Sequence, residues 1–354
     1  MAPVHGAPGR ALTGLRNLGN TCFMNSILQC LSNAVPLAMF FIQNRHTNAI
    51  NRSNKMGTKG ELAEEFGELL KALWLRDYKH ISPSYFKQSV GKFRKEFQGT
   101  QQQDSQEFCA FLLDGLHEDL NRITHKPYVE HPNYDTFSDA EAAAKSWEIH
   151  KRREDSPIVD LFQGQFKSTI RCRVCSYASK SFSPFTFLSL PMPARGSRTS
   201  LKQCVLNFSQ KELVTGDDSW YCNNCKCHRD AVKEINIYKL PTILVIQMKR
   251  FYFEGPFRSK IETLVDFPLQ GLVLDEGSRD NGTRQKNFSL FGVANHYGSL
   301  TGGHYTAFCK NFDSQKWYQF DDSKVSHIGE SRICSNSAYM LFYSAKNFDS
   351  PDLF

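Results

Sequence analysis

The stretch that decides the fold is Gly14–Ser26, GLRNLGNTCFMNS, because it places a cysteine directly before an amphipathic helix. Apolar residues recur at helical spacing from Phe23 to Leu31, and the helix is predicted to end before Pro36. Unpaired N–H groups and the dipole at a helix N-terminus favour the thiolate, which is the nucleophilic form of cysteine. Cys22 is therefore a candidate nucleophile; the alternative is a small buried thiol, as most cysteines are.

A second segment, Gly302–Tyr305 (GGHY), joins a glycine-rich loop to a predicted strand. The next predicted strand, Trp317–Asp322, ends in a pair of carboxylates. If the two strands are neighbours, Asp321 can orient the ring of His304 and stabilise its imidazolium form. A lone histidine is more often a surface or core residue. The order cysteine, histidine, carboxylate is nevertheless that of papain-like proteases.

Two CxxC pairs, Cys172 with Cys175 and Cys222 with Cys225, predict a metal site. Four soft thiolate ligands in this paired spacing suit tetrahedral zinc, with each pair at the tip of a hairpin. Such a zinc ion would be structural, because an extended hairpin is too thin to have a core of its own. The alternative is four thiols without a metal, and Cys227-His228 offers spare donors nearby. A redox CxxC is disfavoured because neither pair opens a helix after a strand.

Charge and hydropathy exclude some classes of function. The net charge of +7, from 43 basic and 36 acidic residues, is spread along the chain with only short clusters such as 151–153. Nucleic-acid binders usually concentrate such charge on one face or in a tail, so no nucleic-acid partner is predicted. No apolar run approaches the ~20 residues that span a bilayer, and Met1–Arg10 lacks the apolar stretch of a signal peptide. We therefore expect a cytoplasmic or nuclear protein whose 11 cysteines stay reduced.

The first half of the chain is predicted to be mainly helical and the second half mainly stranded, which is typical of an α+β architecture. Apolar periodicity predicts core helices at 23–31, 62–73 and 108–120, and a surface helix over Ala140–Arg153 with Ser138 as its cap. Strands are predicted at Gln165–Arg171, Ala231–Ile237, Ile243–Met248, Phe288–Ala294 and Ala338–Tyr343. Polar loops are predicted at Pro193–Thr199 and Asp275–Asn287.

At this point the motifs resemble those of the ubiquitin-specific proteases. Gly14–Ser26 looks like the family's Cys box, Tyr297–Cys309 like its His box, and Trp317–Asp322 like its terminal acidic segment. Gln102–Phe108 resembles its Gln-rich box, with Ser105 where alanine is common. The similarity runs from about residue 12 to 343.

The resemblance implies roles for four residues. Cys22 would be the nucleophile, His304 the general base and later the acid, and Asp321 the group that orients the histidine. Asn17 matches the residue that stabilises the oxyanion, a contact worth about 2.7–4 kcal/mol in other enzymes. An asparagine that only forms a turn is the alternative for Asn17. Asp322 is either a partner in these roles or a solvated carboxylate at a strand end.

The resemblance also implies substrate contacts. Asp104 and Glu107 lie one turn apart at a predicted helix start, where carboxylates commonly act as caps. In the family these positions bind arginines near the C-terminus of ubiquitin, and the two roles can coexist. Gly302, Gly303 and Tyr305 are predicted substrate-binding residues. The loops Gly298–Gly303 and Tyr252–Arg258 match segments that flank the ubiquitin tail, where a narrow cleft would reject bulkier residues.

Together these observations predict a papain-like cysteine protease fold with thumb, palm and zinc-bearing fingers subdomains. The expected organisation is a flexible leader at 1–11, one catalytic domain at 12–345 with a fingers insertion at about 165–237, and a tail at 346–354. The expected activity is hydrolysis of the thioester, ester, peptide or isopeptide bond after the last glycine of ubiquitin. The alternative is an inactive ubiquitin-binding relative. We expect a monomer, without membrane insertion, that binds ubiquitin and ubiquitinated proteins, in the cytoplasm or associated with endosomes.

Overall fold

The helices lie mostly in the first half of the chain, as predicted. The computed structural model describes residues 4–6, 9–193, 196–254, 257–278, 282–299 and 302–345, so the predicted tail at 346–354 lies outside the described residues. The helices are α1 (Cys22–Ser32), α2 (Val35–Ile42), α3 (Glu61–Leu75), α4 (Ser84–Phe93), α5 (Ser105–Asp119), α6 (Asp139–Lys151), α7 (Pro157–Phe162) and α8 (Leu201–Phe208).

The strands lie mostly in the second half, which confirms the α+β prediction. They are β1 (Val4–His5), β2 (Gly14–Leu15), β3 (Tyr78–Ile81), β4 (Gly164–Cys172), β5 (Ala178–Phe185), β6 (Phe187–Pro191), β7 (Arg198–Ser200), β8 (Glu212–Val214), β9 (Trp220–Cys222), β10 (Cys227–Arg229), β11 (Ala231–Lys239), β12 (Ile243–Lys249), β13 (Phe251–Glu254), β14 (Phe257–Lys260), β15 (Leu264–Asp266), β16 (Leu272–Ser278), β17 (Gly282–Tyr297), β18 (His304–Lys310), β19 (Trp317–Asp321), β20 (Lys324–His327) and β21 (Ala338–Ala345).

Local sequence explains where the predicted helices begin. Ser138 and Glu141 form a capping box, in which the Ser138 side chain accepts from the Glu141 amide and the Glu141 carboxylate accepts from the Ser138 amide. This confirms the predicted surface helix, α6. Asp104 caps α5 by accepting from the Gln106 amide at 2.6 Å.

An eight-stranded sheet forms the centre of the molecule. Its order is β20-β19-β18-β17-β21-β12-β6, with β16 added beside β17. Alternate residues of β18 point to opposite faces: Tyr305, Ala307 and Cys309 join the core that contains α1, and Phe308 joins the core that contains α8. The sheet therefore lies between two buried apolar layers, and α1 is fixed against the strand that begins with His304.

A smaller sheet, in the order β5-β4-β11-β8, carries the first CxxC pair, and the separate two-stranded sheet β10-β9 carries the second. Residues 172–175 lie in the turn between β4 and β5, and residues 222–225 lie in the turn between β9 and β10. The strand predictions at 165–171 and 231–237 are confirmed, and both cysteine pairs lie at hairpin tips as expected.

Two sequence predictions need correction. The predicted loop Asp275–Asn287 is mostly strand, because β16 and β17 pair in register from Leu272↔Phe288 to Ser278↔Gly282. Part of the predicted flexible leader is paired with the fold: Val4–His5 forms β1 beside β3, and Ala11 is buried.

Within the described residues no single helix has the length and hydropathy to cross a membrane, and only the bent pair α1 with α2, at 87°, reaches both criteria together.

Candidate active site

Cys22 is the first residue of α1 and is buried, with 3% of its surface exposed. The N–H groups in the first turn of a helix have no acceptor within the helix, so they and the dipole favour negative charge on the sulfur. The chain reaches this point through a tight turn in which Gly19 and Asn20 have positive φ angles of 98° and 53°. The turn is fixed by the side-chain oxygen Oδ1 of Asn17, which accepts from the Gly19 amide at 3.0 Å and the Thr21 amide at 3.1 Å.

His304 and Asp321 meet at one edge of the central sheet. β18 and β19 are antiparallel neighbours, so the start of β18 lies close to the end of β19. The Nε2 of His304 lies 2.7 Å from Oδ1 of Asp321. Contact with the Cys22 side chain, and then the hydrogen bond to Asp321, raise the pKa of His304 to about 9. The imidazolium form therefore persists at neutral pH, as an ion pair with a thiolate requires.

Asp322 does not share the histidine; it holds two amides. Its Oδ2 accepts from Asn17 Nδ2 at 3.0 Å, and its Oδ1 accepts from Asn25 Nδ2 at 2.8 Å. Asn17 thus uses its oxygen for the turn before Cys22 and one of its two N–H bonds for Asp322. The second N–H bond is the one that could donate to an oxyanion. Asn17 is therefore a turn-forming residue whose amide group is oriented by Asp322, so the two sequence interpretations of Asn17 are compatible.

Gln102 is a site residue to which the sequence analysis gave no role of its own. Its Nε2 lies 3.8 Å from the Cys22 sulfur and donates to the Gly303 carbonyl, while its Oε1 accepts from the Gly303 amide at 3.0 Å. Gln102 therefore links the cysteine to the residue directly before His304. The only signal in the sequence was its place in the Gln-rich box, because the contact joins residues 201 positions apart.

The structure separates the predicted substrate-binding residues into exposed and buried ones. Asp104 accepts from the Tyr339 hydroxyl at 2.8 and 3.0 Å, and burial raises the pKa of its carboxyl group. Glu107 is exposed in the first turn of α5. Tyr305 is only 4% exposed, with its ring centroid 4.6 Å from that of His296, so its side chain lies in the core rather than on the surface. Substrate binding by these residues stays a prediction.

Glycine is required at position 303 but not at position 302. A Cβ atom on Gly303 would lie 2.2 Å from Nε2 of His296 and 2.7 Å from the Tyr297 carbonyl oxygen, whereas one on Gly302 would meet nothing closer than 3.8 Å. The backbone before His304 can therefore approach β17 closely only without a side chain at position 303. Residues 300–301 and 255–256, in the two loops predicted to flank the substrate, lie outside the described residues.

The four cysteines of the two CxxC pairs converge at one point. Their sulfur atoms all lie within 4.8 Å of one another, and Cys175 Sγ lies 3.5 Å from Cys222 Sγ. A tetrahedron with Zn–S bonds of 2.3 Å has sulfur atoms about 3.8 Å apart, so this donor set fits a metal ion of that kind. Cys227 is outside the group, and the His228 ring contacts the Ser219 carbonyl oxygen at 2.8 Å. The cluster therefore consists of Cys172, Cys175, Cys222 and Cys225, and neither Cys227 nor His228 belongs to it.

These two sites lie within one recognised domain. A family model described as "Ubiquitin carboxyl-terminal hydrolase" matches residues 13–343. The chain belongs to the ubiquitin carboxyl-terminal hydrolase family. This confirms the family resemblance that the Cys, Gln-rich and His boxes indicated.

Relatives within the family include ubiquitin carboxyl-terminal hydrolase 2 from two vertebrates. The Homo sapiens protein is 40% identical over 336 residues, which cover 94% of this chain and 55% of the human protein. The Gallus gallus protein is 41% identical, with 94% of this chain and 93% of the chicken protein covered. The chain thus spans about half the length of the human relative. Stretches such as Leu161–Ile170 also resemble ubiquitin carboxyl-terminal hydrolase 8, and membership of the family does not depend on which member is nearest.

Solved structures of a deubiquitinating module share the fold. A chain of the SAGA DUB module bound to monoubiquitin is 26% identical, with a TM-score of 0.74, and the match covers 98% of this chain and 71% of that chain. A chain of the SAGA DUB module bound to ubiquitin aldehyde is also 26% identical, with a TM-score of 0.72 over 98% of this chain and 72% of that one. The predicted fold class is therefore confirmed.

Proposed function

We propose that this chain is a cysteine-type deubiquitinase that hydrolyses the bond after the C-terminal glycine of ubiquitin. The observation that carries the proposal is the convergence of Cys22, His304 and Asp321 from opposite ends of the chain, with the Asn17 amide oriented beside them. Membership of the hydrolase family and the likeness to structures bound to ubiquitin and ubiquitin aldehyde support ubiquitin as the substrate.

The reaction proceeds through an acyl-enzyme. The Cys22 thiolate attacks the carbonyl carbon of the last ubiquitin residue while His304 holds the proton that left the sulfur. The developing oxyanion accepts from the free Asn17 N–H bond and from the unpaired N–H groups at the start of α1. His304 then donates its proton to the leaving amine, and a thioester remains. Water, deprotonated by His304, hydrolyses the thioester and releases ubiquitin and the free thiol.

Asp321 contributes to these reaction steps through His304. Its bond to Nε2 leaves Nδ1 as the ring atom that faces Cys22, and its charge stabilises the imidazolium that forms when the sulfur loses its proton. The intact catalytic set argues against the inactive ubiquitin-binding relative, since binding alone does not require a cysteine, a histidine and a carboxylate in hydrogen-bond reach.

We further infer that Cys172, Cys175, Cys222 and Cys225 bind one structural zinc ion. The sulfur-only donor set and the spacing within the cluster support zinc rather than magnesium or calcium, which prefer oxygen ligands. Zinc would cross-link the two hairpin tips and supply no reactive group. Asp104 and Glu107 at the start of α5 are the proposed contacts for basic residues of the ubiquitin tail. A cytoplasmic or endosome-associated monomer remains the expectation from sequence.

The test of the activity is labelling by ubiquitin that carries a C-terminal electrophile. We expect a covalent adduct, mapped to Cys22 by peptide mass spectrometry, and release of the fluorophore from ubiquitin with a C-terminal fluorogenic amide. The Cys22→Ser variant should form no adduct and show no turnover. Folded wild-type protein that binds ubiquitin but forms no adduct would instead identify the inactive relative.

A further inference from the structure

The loop that carries His304 is held by a lysine from a different hairpin. β13 and β14 form a hairpin in which Phe251 pairs with Lys260 at its base. The Nζ of Lys260 donates to the His296 carbonyl at 2.8 Å and to the Gly298 carbonyl at 3.3 Å. These carbonyls belong to the end of β17 and the first residue of the loop that leads to His304.

The sheet holds this part of β17 on its β18 side but not on its β21 side. The pairing of β17 with β21 ends at Asn295↔Ala338, because β21 begins at Ala338. Past that point the His296 amide donates to the Ser337 carbonyl at 2.8 Å, and the ammonium group of Lys260 is the donor to the next carbonyls. Lys260 thus supplies the hydrogen bonds that a longer β21 would otherwise supply.

The opposite side of the same loop is held by Gln102, which pairs with both backbone groups of Gly303. Tyr297 and His304 form the last pair of the β17–β18 ladder, so the position of His304 depends on how the loop beyond it is fixed. Lys260 holds the β17 side of this loop and Gln102 the β18 side.

The base of the hairpin is rigid enough to serve as an anchor. Arg250, just before β13, is fully buried and donates to the carbonyls of Ala338, Ile261 and Thr263 at 2.6, 2.9 and 2.9 Å. The Phe251 ring packs on the His296 ring at a centroid distance of 5.2 Å. Lys260 is half-buried, and among the described residues no carboxylate forms an ion pair with it, so its charge is directed at backbone carbonyls.

We propose that Lys260 is a positioning residue for the reaction: by holding the His296 and Gly298 carbonyls, it keeps His304 aligned with Cys22. Lys260 itself contacts neither the sulfur nor the imidazole. The inference rests on the proposed thiol hydrolysis, and its test uses a second readout that does not involve ubiquitin.

The test compares Lys260→Met with a matched variant, Lys286→Met. Lys286 is also a half-buried lysine, and its Nζ donates to one carbonyl, that of Leu240, at 3.1 Å. Both variants remove a lysine-to-carbonyl hydrogen bond, but Lys286 lies on β17 far along the strand from the loop before His304. Thermal unfolding of both variants measures the structural cost of the change itself.

Two readouts are taken on the full chain. The first is the rate of Cys22 alkylation by iodoacetamide as a function of pH, with the modified residue located by peptide mass spectrometry; it reports the thiolate that His304 stabilises. The second is hydrolysis of ubiquitin with a C-terminal fluorogenic amide. For Lys260→Met we expect alkylation at neutral pH to fall about tenfold with its midpoint moved to higher pH, and kcat to fall roughly ten- to a hundredfold. Lys286→Met should match the wild type in both readouts.

Other outcomes contradict the proposal. A raised KM with an unchanged alkylation profile would make Lys260 a substrate contact. An unchanged profile together with lowered stability would make it a structural residue only. If Lys260→Met does not fold, Lys260→Gln, which keeps a shorter amide donor, replaces it under the same criteria. If the wild-type protein did not hydrolyse ubiquitin, the proposed function would be wrong. The comparison of Cys22 alkylation between Lys260→Met and Lys286→Met would still decide the role of Lys260.

Discussion

The Cys22 site and the four-cysteine cluster place the same functional group in different surroundings. Cys22 begins a helix whose 11 residues are all buried, and its helix lies against the strand that starts with His304. The four cysteines lie at the tips of two hairpins, where Val174 and Tyr221 are 64% and 47% exposed. At the first site the core fixes one sulfur beside a base, and at the second the sulfurs have one another as their main neighbours.

Because their surroundings differ, we expect the two sites to lose function independently of each other. The active site draws its geometry from the apolar core on one face of the central sheet, whereas the four clustered cysteines belong to none of the apolar cores of the described residues, so a bound metal would be the cross-link between the hairpin tips. A substitution at the active site should therefore abolish catalysis without unfolding the hairpin tips. A change in the cluster should loosen the tips without altering the reactivity of Cys22.

The largest expected effect comes from His304→Gln. The variant removes the general base and the imidazolium, so kcat for ubiquitin hydrolysis should fall about 10²- to 10⁴-fold. Cys22 alkylation at neutral pH should fall as well, because the thiolate loses its counter-ion. Zinc content, measured by native mass spectrometry, should not change. A loss of zinc together with activity would show that the two sites are coupled and would overturn the comparison.

Asn17→Ala should have the next largest effect and a different signature. Loss of an oxyanion donor costs about 10²- to 10³-fold in kcat. Alkylation of Cys22 by iodoacetamide forms no oxyanion, so its rate should stay close to that of the wild type. If alkylation and hydrolysis fell together, Asn17 would act mainly through the turn that its oxygen holds before Cys22.

The parts of the active site that could be predicted from sequence are those set by local rules. Helical periodicity after residue 22 placed the nucleophile at a helix start, and the strands that contain His304 and Asp321 are close enough in sequence to pair as neighbours. Gln102 and Lys260 could not be assigned in this way, because each contacts a backbone group far away in the chain. The pattern of side chains in a sequence does not indicate which of them will contact a distant backbone carbonyl.

The strand error has a similar cause. The segment 275–287 was predicted to be a loop because it is polar and rich in turn residues, yet backbone pairing extends β16 and β17 through it. Thr283, Arg284 and Gln285 are all exposed, so neither face shows the alternation of apolar and polar residues that predicts a strand. The four-cysteine cluster was easier to predict, because two CxxC pairs indicate a metal site whatever the fold around them.

Cys222→Ser tests whether the four-cysteine cluster can be disrupted without an effect on the active site. Removal of one of four ligands should lower the zinc content well below that of the wild type, and the tips should become more open to proteolysis. The alkylation profile of Cys22 should stay unchanged. A changed profile would mean that the hairpin tips influence the catalytic pair.

The smallest effect is expected for Cys227→Ser, which tests whether Cys227 is one of the metal ligands. Cys227 lies two residues after Cys225, and by sequence it was a spare donor for the fourth position. Its sulfur instead donates to the Cys225 carbonyl at 3.4 Å, and a serine hydroxyl can make the same hydrogen bond. Zinc content, KM and the alkylation profile should therefore all equal those of the wild type, in contrast to Cys222→Ser at the other end of the same turn. Loss of zinc from Cys227→Ser would instead place this thiol among the ligands, and one of the four clustered cysteines would then be the spare.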